Sequence, residues 1–437
     1  MGLFFGTDGL RGIVNEDLSF DIAYKCGNAL SVLKEKPTVF IGSDTRVSNH
    51  YLTLAVASGA MAGGANVVDL GVIPTAGVAY LTKTLKADYG VVISASHNPK
   101  EYNGIKIFNG DGYKLGDKEE ERVERCFIRD RVNGFPEIGR FSQNLNYAKL
   151  YERFLVNCSA CRLDGLTVVL DGANGAACKI APQVFKKLGA NVVASNCHDD
   201  GLRINDNCGA LYPETLAKRM KRYKADLGFA FDGDADRLIV VDEKGRVVDG
   251  DAVIYMLANH MKDKGLLREN TVVGTSHTNM AIEKALRKKG ISFIRTDIGD
   301  KYVLAELLEK GLSLGGEQSG HIILKDLHTT GDGILSAVAV ANMLVERKAK
   351  ISDLFDVALY PQVNLNVPVE DKLKVINSER LADEVGKIKA ALGDDGRVMV
   401  RASGTEPKIR IMVESADEER NRAYANHLAA VVKAIEK

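Results

Sequence analysis

Three aspartates at alternate positions are the residues of this sequence best suited to chemistry. They are Asp232, Asp234 and Asp236, in the loop of residues 232–237 (Asp-Gly-Asp-Ala-Asp-Arg), called the aspartate loop. The loop follows the apolar segment 227–231, which predicts a strand. Carboxylates packed this closely repel one another unless a cation lies among them, and Mg²⁺ prefers oxygen ligands. The spacing therefore predicts a magnesium site.

A serine turn offers a second reactive group. Ser96 begins the stretch Ser-His-Asn-Pro at residues 96–99, which is separated from the apolar run 91–93 by Ser94 and Ala95. Pro99 turns the chain away from helix, so we expect Ser96 on an exposed loop. A serine hydroxyl needs activation or prior derivatisation to react, and these residues are also typical of an ordinary turn. A phosphate on Ser96 would be a natural further ligand for Mg²⁺, so we expect serine and aspartates to form one site.

Two loops further along the chain carry groups suited to sugars and phosphates. Residues 315–321 (Gly-Gly-Glu-Gln-Ser-Gly-His), called the glutamate loop, present Glu317 and Ser319, whose carboxylate and hydroxyl suit sugar hydroxyls. Residues 401–407 (Arg-Ala-Ser-Gly-Thr-Glu-Pro) offer backbone N–H groups, hydroxyls and an arginine fork for phosphate. An ordinary hairpin with its arginines in water is the alternative for this second loop.

The aspartate loop has two other interpretations. An EF-hand would place Glu243 at its twelfth position, but Arg237 occupies the sixth position, where that loop needs glycine, and the flanks are strand-like. A haloacid-dehalogenase type of phosphotransferase would use the first aspartate as its nucleophile. That interpretation leaves the serine turn, Glu317 and residues 401–405 without roles.

Taken together and in this order, the four motifs resemble the four signatures of the α-D-phosphohexomutase superfamily. The resemblance covers essentially the whole chain. Residues 5–12, residues 204–209 and the form of the glutamate loop are most similar to the bacterial branch that acts on glucosamine phosphates. The resemblance implies an α/β fold, with three related α/β domains with mixed sheets and a smaller C-terminal α+β domain around a central cleft.

The resemblance also implies a reaction and a set of residue roles. The reaction moves phosphate between O6 and O1 of a hexosamine phosphate, with phosphorylated Ser96 as donor, Mg²⁺ as cofactor and a hexose 1,6-bisphosphate as intermediate and primer. Glucose or mannose phosphates are the alternative substrates. The implied catalytic residues are Ser96, His97, Lys106, Arg11, Arg237 and His321. The implied substrate-binding residues are Glu317, Ser319, Asp300, Lys301, Arg401, Ser403, Gly404, Thr405 and Arg410, and the implied metal ligands are Ser96, Asp232, Asp234 and Asp236.

Two of these roles have structural alternatives. Lys106 is implied as a general acid or base, and the alternative is a solvent-facing strand residue. The resemblance implies that His321 is a proton shuttle, and the reference pKa of histidine suits that role at neutral pH. The alternative for His321 is a histidine that is hydrogen-bonded for structural reasons at a strand edge.

Composition narrows the class of protein. The chain has 437 residues, with 58 Lys plus Arg balanced by 58 Asp plus Glu, so no overall basic field favours nucleic acid or an anionic membrane. Residues 52–73 predict a helix and a strand better than a membrane span. Seven scattered cysteines and the absence of a secretory signal before residue 5 predict a reduced, cytoplasmic protein, with Cys158 and Cys161 as core or linker residues. The expected partner is the small-molecule substrate, and a homodimer is left open.

The elements that must position the loops repeat along the chain. Segments 38–42, 166–170 and 271–273 each predict a strand followed by a small-residue loop, the opening of an α/β unit. A short strand is predicted at 105–108 between hairpin turns at 103–104 and 109–112. Alternating apolar residues near 363–367 begin a different, α+β pattern. These observations predict domains at residues 1–157, 158–250, 251–361 and 362–437.

Overall fold

The computed structural model describes residues 5–6, 8–127, 137–198, 200–403 and 407–436. The chain forms two units. The first consists of Met1–His277 with Lys289–Asp356, and the second of Thr278–Lys288 with Val357–Lys437. Three mixed β-sheets lie in the first unit, and one antiparallel sheet lies in the second. The predicted fold class, three α/β domains and a smaller α+β domain, is confirmed.

The first sheet has six strands. They are β1 (Leu10–Ile13), β2 (Thr38–Ser43), β3 (Asn66–Val72), β4 (Tyr89–Ile93), β5 (Tyr102–Asn109) and β6 (Phe141–Gln143). The helices of this part of the chain are α1 (Phe20–Leu33), α2 (Asn49–Ala62), α3 (Thr75–Thr84), α4 (Asp117–Phe127) and α5 (Ala148–Asn157). The strand order is β1-β5-β4-β2-β3-β6. Every residue of β4 is buried, as expected for a strand with helices on both faces of its sheet.

The second sheet has five strands in the order β11-β10-β9-β7-β8, and its strands are β7 (Thr167–Asp171), β8 (Asn191–Ser195), β9 (Leu227–Phe231), β10 (Leu238–Val241) and β11 (Val247–Val248). Its helices are α6 (Ala177–Lys187) and α7 (Pro213–Tyr223). Strands β10 and β11 are joined by a turn at Gly245, which has φ +81° and whose N–H donates to the carbonyl of Asp242.

The third sheet has four strands, which are β12 (Thr271–Thr275), β13 (Ser292–Thr296), β14 (Leu314–Gly316) and β15 (Ile322–Leu324). Their order is β13-β12-β14-β15. The helices of this stretch are α8 (Gly250–Asp263), α9 (Met280–Lys288), α10 (Asp300–Glu309), α11 (Gly333–Arg347) and α12 (Ile351–Leu354). Of these, α9 belongs to the second unit. Among the described residues, no helix is both long and apolar enough to cross a membrane.

The three mixed sheets share one strand order. In each sheet the first strand of the repeat (β2, β7 or β12) lies between the second (β3, β8 or β13) and the third (β4, β9 or β14), and all three are parallel. The fourth strand (β5, β10 or β15) runs antiparallel beside the third. The connections from third to fourth strand are residues 94–101, 232–237 and 317–321. The serine loop (residues 94–101), the aspartate loop and the glutamate loop therefore occupy equivalent positions in three related domains.

One predicted turn in the first sheet is wrong. Asn103 and Gly104 lie inside β5 rather than at a hairpin, because that strand begins at Tyr102. A Cβ at Gly104 would lie 2.6 Å from the carbonyl oxygens of Leu10 and Ser94 on the neighbouring segments. Glycine is needed there for close packing between backbones, and the local sequence does not distinguish that need from a turn.

The second unit is built on a three-stranded antiparallel sheet. Its strands are β16 (Gln362–Pro368), β17 (Gly396–Ala402) and β18 (Lys408–Ser415), in the order β16-β18-β17. Helices α13 (Lys372–Ile376), α14 (Glu379–Leu392) and α15 (Glu418–Glu436) complete the α+β arrangement. Helix α9 joins this unit because Met280 N donates to Glu414 Oε1 at 2.8 Å and Asn279 Nδ2 donates to Tyr360 O at 2.9 Å.

Candidate active site

Ser96 is buried, contrary to the expected exposed loop, and only 1% of its surface is accessible. It lies in the serine loop (residues 94–101) with φ +52°, in the left-handed region. Its N–H donates to Ser94 Oγ at 2.9 Å, and its hydroxyl donates to Asp232 Oδ2 at 2.5 Å. The hydroxyl is covered because the aspartate loop packs directly onto the serine loop. The predicted meeting of Ser96 with the aspartates is therefore seen in the structure.

A buried arginine holds the serine loop in place. The Arg46 side chain has no exposed surface and its Nε pairs with Asp44 Oδ2 at 2.9 Å. Its guanidinium also donates to the carbonyls of Ser96 at 3.1 Å, Asn98 at 2.8 Å and Tyr102 at 2.9 Å. One planar group thus satisfies carbonyls along the whole loop. The sequence predicts only a small-residue loop after the strand at 38–42, and it does not identify Arg46 as a site residue.

Asn205 reinforces the same loop from the second domain. Its Nδ2 donates to the carbonyl of Ser96 at 2.8 Å and to that of Asn98 at 3.0 Å. The Asn205 N–H in turn donates to the carbonyl of Ala173 at 3.0 Å. Residues 204–209 contributed to the family resemblance, but sequence reasoning gave Asn205 no role. The structure indicates that it joins the serine loop to the end of β7.

Backbone contacts seat the aspartate loop. The N–H of Thr75, the first residue of α3, donates to the carbonyl of Asp234 at 3.0 Å. A Cβ at Gly233 would lie 2.6 Å from the carbonyl oxygen of Ser96, and a Cβ at Gly175 would overlap the carbonyl of Gly233. Three backbones therefore lie against one another at this point. Only glycine permits this approach, which explains why Gly233 separates the first two aspartates.

The three aspartates are arranged as a metal site would require. Ligand oxygens of Asp232, Asp234 and Asp236 lie within 4.8 Å of one another. The Oδ1 atoms of Asp234 and Asp236 are buried and have no hydrogen-bond partner. Burial and the other two carboxylates raise the pKa of Asp232 well above its usual value. A hard divalent cation would satisfy the orphaned oxygens and offset the repulsion, so the residues fit Mg²⁺.

Lys106 supplies positive charge to this acidic cluster. Its side chain is 1% exposed, so the alternative of a solvent-facing strand residue is wrong. Its Nζ lies 2.8 Å from Asp234 Oδ2, 3.0 Å from Asp8 Oδ2 and 3.3 Å from Asp236 Oδ2. Burial lowers the pKa of Lys106, but these carboxylates outweigh burial and raise it well above the ordinary value. The group is an ammonium at neutral pH.

A second ionic network extends from Asp8. This carboxylate pairs with Arg11 and Lys114, and Lys114 Nζ also lies 2.6 Å from Asp300 Oδ2. Arg11 in turn donates from Nη1 to Asn98 Oδ1 on the serine loop at 2.9 Å. Sequence reasoning selected Arg11 and Asp300 but missed Asp8 and Lys114. The signal available for Asp8 was its place within the 5–12 motif, whereas nothing local distinguished Lys114.

His97 lies beside the Ser96 hydroxyl as a neutral imidazole. Its Nδ1 is 3.2 Å from Ser96 Oγ. Burial and the charges of Arg237 and Arg11 lower the pKa of His97 to about 4. It can therefore exchange a hydrogen bond with the serine without adding charge to the site.

His321 has the opposite charge state. Its Nδ1 lies 3.7 Å from Asp236 Oδ2 and its Nε2 lies 3.6 Å from Asp300 Oδ2. Burial lowers the pKa of His321, but Asp236 and Asp300 outweigh burial and raise the pKa to about 9. A Cβ at Gly331 would overlap the imidazole, so glycine leaves room for the ring. The backbones of His321 and Arg237 also form an isolated antiparallel β-bridge. This contact joins the glutamate loop to the aspartate loop.

The glutamate loop presents two polar groups without strong partners. Glu317 Oε1 accepts from the N–H of Gly299 at 3.1 Å, and burial raises the pKa of its carboxyl. The hydroxyl of Ser319 is buried and has no hydrogen-bond partner. Gly320 has φ +92°, and its carbonyl accepts from the N–H of Leu238 at 2.9 Å. The loop is thereby fixed to the strand that follows the aspartates.

Arg237 completes the cationic side of the site. Its Nε lies 4.0 Å from Asp236 Oδ1 and has no hydrogen-bond partner. The structure thus brings together most of the candidates of the first unit. Lys301 is different, because its Nζ lies 3.3 Å from Asp117 Oδ1 on α4 and is partly exposed. A substrate-binding role for Lys301 stays a prediction.

The candidate phosphate residues lie in the second unit. Arg401 and Arg410 are directly opposite on β17 and β18, and burial and Arg410 lower the pKa of Arg401. Two like charges paired across strands are unfavourable without an anion between them. Ser403 is buried, with its N–H donating to Lys408 O at 2.9 Å. Gly404 and Thr405 lie outside the described residues.

Comparison with known proteins identifies the family. Sequence models of four domains match in order: phosphoglucomutase/phosphomannomutase alpha/beta/alpha domain I over residues 2–132, domain II over 146–245, domain III over 249–360 and the C-terminal domain over 365–431. The chain is 44% identical over 444 residues to phosphoglucosamine mutase of Carboxydothermus hydrogenoformans, with 100% of both chains covered. It is 42% identical to that of Bacillus subtilis, with 99% of both chains covered.

Solved structures share the fold. A phosphoglucomutase/phosphomannomutase family protein from Burkholderia thailandensis has a TM-score of 0.84 and 24% identity, covering 98% of this chain and 97% of its own. N-acetylphosphoglucosamine mutase of Aspergillus fumigatus, solved with GlcNAc-6P and magnesium, has a TM-score of 0.66 and 17% identity, covering 100% and 96%. Given the four consecutive domain matches and the full-length relatives, the chain belongs to the phosphoglucomutase/phosphomannomutase family, within the α-D-phosphohexomutase superfamily.

Proposed function

We propose that this protein is an isomerase that interconverts glucosamine 6-phosphate and glucosamine 1-phosphate through a phosphorylated Ser96. The observation that carries the proposal is the position of the Ser96 hydroxyl, 2.5 Å from Asp232 within a buried aspartate cluster. The amino-sugar substrate is supported by relatives named phosphoglucosamine mutase that are 42% to 45% identical over the whole chain. Phosphoglucomutase or phosphomannomutase activity is the alternative outcome of the test.

We propose that Asp232, Asp234, Asp236 and the phosphate on Ser96 hold Mg²⁺. The orphaned oxygens of Asp234 and Asp236 support this assignment. When bound, Mg²⁺ offsets negative charge on the transferring phosphoryl group. The neighbouring Lys106 ammonium adds a fixed positive charge on the same side, 2.8 Å from Asp234 Oδ2. Such preorganised charge is expected to provide most of the rate enhancement, since phosphoryl transfer needs little covalent help from the protein.

The remaining residues position the donor and move protons. Arg46 and Asn205 fix the Ser96 carbonyl, so the side chain points at the aspartates throughout both transfers. The substrate hydroxyl attacks the phosphorus, and the Ser96 oxygen leaves. The attacking hydroxyl loses a proton, and the leaving oxygen gains one. We assign the donation to Lys106 and His321, because each carries a proton at neutral pH, and the acceptance to the neutral imidazole of His97.

Substrate recognition must serve two orientations of one sugar. Phosphate passes from Ser96 to form a hexose 1,6-bisphosphate, which reorients before Ser96 recovers the other phosphate. Glu317 and the unpaired Ser319 hydroxyl suit sugar hydroxyls or an ammonium at C2. We propose that the phosphate is bound by Arg401, Ser403, Gly404, Thr405 and Arg410. Free bisphosphate would prime an enzyme that has lost its phosphate.

We also propose a cytoplasmic location, which the free thiols of the described cysteines fit.

The experiment is a comparison of two substrates. Mg²⁺-dependent turnover of glucosamine 6-phosphate and glucose 1-phosphate is measured side by side, with hexose 1,6-bisphosphate as primer. Ser96→Ala removes the proposed phosphate acceptor, and Ser142→Ala on the remote strand β6 is its matched control. We expect faster turnover of the amino sugar than of glucose 1-phosphate. We expect Ser96→Ala to abolish turnover and Ser142→Ala to leave it unchanged. Preference for glucose 1-phosphate would replace the substrate assignment, and unchanged turnover in Ser96→Ala would refute the mechanism.

A further inference from the structure

Two cysteines of the second domain share one small space behind the aspartate loop. Cys178 lies in the first turn of α6, and Cys197 follows the end of β8. A Cβ at Gly172 would lie 2.6 Å from the sulfur of each cysteine. Glycine at that position therefore lets the two sulfurs lie next to each other. Because each sulfur lies 2.6 Å from the same point, the two sulfurs are no more than twice that distance apart.

The two thiols have unequal surroundings. The Cys178 sulfur lies 3.5 Å from each of the carbonyl oxygens of Gly172 and Asn196, to which its S–H donates. The neighbouring Cys178 thiol lowers the pKa of the Cys197 thiol. Cys197 is therefore the better nucleophile of the pair. Both residues are partly exposed, whereas Cys26 and Cys208 are buried, so a small oxidant can reach the pair.

We propose that Cys178 and Cys197 form a thiol oxidation site that closes to a disulfide in the presence of hydrogen peroxide and thereby lowers turnover. The Cys197 thiolate sulfur attacks one peroxide oxygen, the O–O bond breaks, and a sulfenic acid and one water result. The Cys178 sulfur then attacks the Cys197 sulfur, and the sulfenic hydroxyl leaves as a second water. The two sulfurs together lose two electrons, which reduce one peroxide to two waters. This inference goes beyond the proposed function.

The disulfide would act on the site through backbone contacts. An S–S bond is about 2.05 Å long, so the two neighbouring sulfurs must approach each other when it forms. The segments that carry them are already coupled, because Asn174 N donates to Asn196 O at 2.6 Å. Gly175 packs on Gly233, and Gly233 packs on the Ser96 carbonyl, with no side chain between them. Movement at the cysteines is therefore transmitted to the aspartate and serine loops.

The test begins with the bond itself. Purified full-length protein is treated with a small excess of hydrogen peroxide, its free thiols are alkylated, and its peptides are mapped without reduction. We expect a peptide pair joined through Cys178 and Cys197 that separates on reduction. Absence of this linked pair, or preferential formation of a different one, would overturn the proposal. This readout does not depend on which sugar phosphate is the substrate.

The second readout is turnover before and after oxidation. Misplacement of catalytic groups by about 1 Å costs roughly a hundredfold, so we expect a ten- to hundredfold loss in the oxidised protein that thiol reductant restores. Cys197→Ser and Cys178→Ser should each keep the turnover of the reduced protein and resist peroxide. Cys161→Ser, which is also partly exposed, should remain as sensitive as the unmodified chain. A linked pair with unchanged turnover, or Cys197→Ser inactivated at the same rate, would contradict the coupling to the site.

Discussion

Replacement of Arg46 by lysine isolates the role of the buried guanidinium in the serine loop. The arginine donates to five acceptors, namely Asp44 Oδ2 and the carbonyls of Ser96, Asn98, Pro99 and Tyr102. A lysine ammonium keeps the charge but has only three donors, so at least two of the five hydrogen bonds are lost. The carbonyls of Ser96 and Asn98 keep Asn205 as a donor, so the cost is that of two lost hydrogen bonds from a charged group, at about 1.5–3 kcal/mol each, or about 3–6 kcal/mol.

The assay combines denaturant unfolding with kinetics. We expect Arg46→Lys to lower the free energy of unfolding by that amount, a large share of the roughly 5–15 kcal/mol typical of a folded domain. We also expect kcat to fall about a hundredfold with little change in KM, because the serine loop carries the phosphate donor rather than the sugar-binding groups. Arg162→Lys is the matched control, since Arg162 is exposed and its only carboxylate partner among the described residues is Asp164. The reasoning is refuted if Arg46→Lys is as stable and as active as this control.

Three further predictions follow from single contacts. Gly233→Ala should reduce turnover roughly a hundredfold, since its Cβ would lie 2.6 Å from the Ser96 carbonyl oxygen; unchanged turnover would contradict this. Asp236→Asn should weaken Mg²⁺ binding at least about tenfold in titration calorimetry, because one ligand charge is lost, and equal affinity would argue against the metal site. Burial raises the pKa of Asp332 to about 6, so its carboxyl holds more protons when folded; stability should fall by about 2 kcal/mol as pH rises from 4 to 6, and Asp332→Asn should flatten this profile.

Local patterns predicted the elements of this fold well. The strands predicted at residues 38–42, 166–170 and 271–273 correspond to β2, β7 and β12, because a run of apolar residues within the segment is itself the signal. The failure at Gly104 has the opposite cause. Glycine is required at this position because backbone from segments distant in sequence packs against it. An Asn-Gly pair usually favours a hairpin, but here it lies inside a strand.

In the candidate site, too, residues with a local signal could be predicted, whereas residues whose partners are distant in sequence could not. Asp232, Asp234 and Asp236 could be recognised because their spacing is itself the signal. Arg46 and Lys114 could not be recognised, because their partners lie on segments that only the folded chain brings together. Lys114, for example, pairs with Asp300, which is 186 positions away. The burial of Ser96 was missed for the same reason, since another domain covers it.

The unusual charge states also depend on the folded chain. His97 and His321 share the same reference pKa, and sequence gives no reason for them to differ. In the structure, arginines beside His97 favour its neutral form, whereas Asp236 and Asp300 favour the charged form of His321. The chemistry of each imidazole is therefore set by residues from other loops.

The most direct test of the central claim is to locate the phosphate on the enzyme. The protein is incubated with Mg²⁺ and isotopically labelled hexose 1,6-bisphosphate, and phosphopeptides are identified before and after addition of glucosamine 6-phosphate. We predict label on Ser96 that survives hydroxylamine and passes to the sugar. Hydroxylamine-labile label on Asp232, or no labelled peptide containing Ser96, would contradict the account.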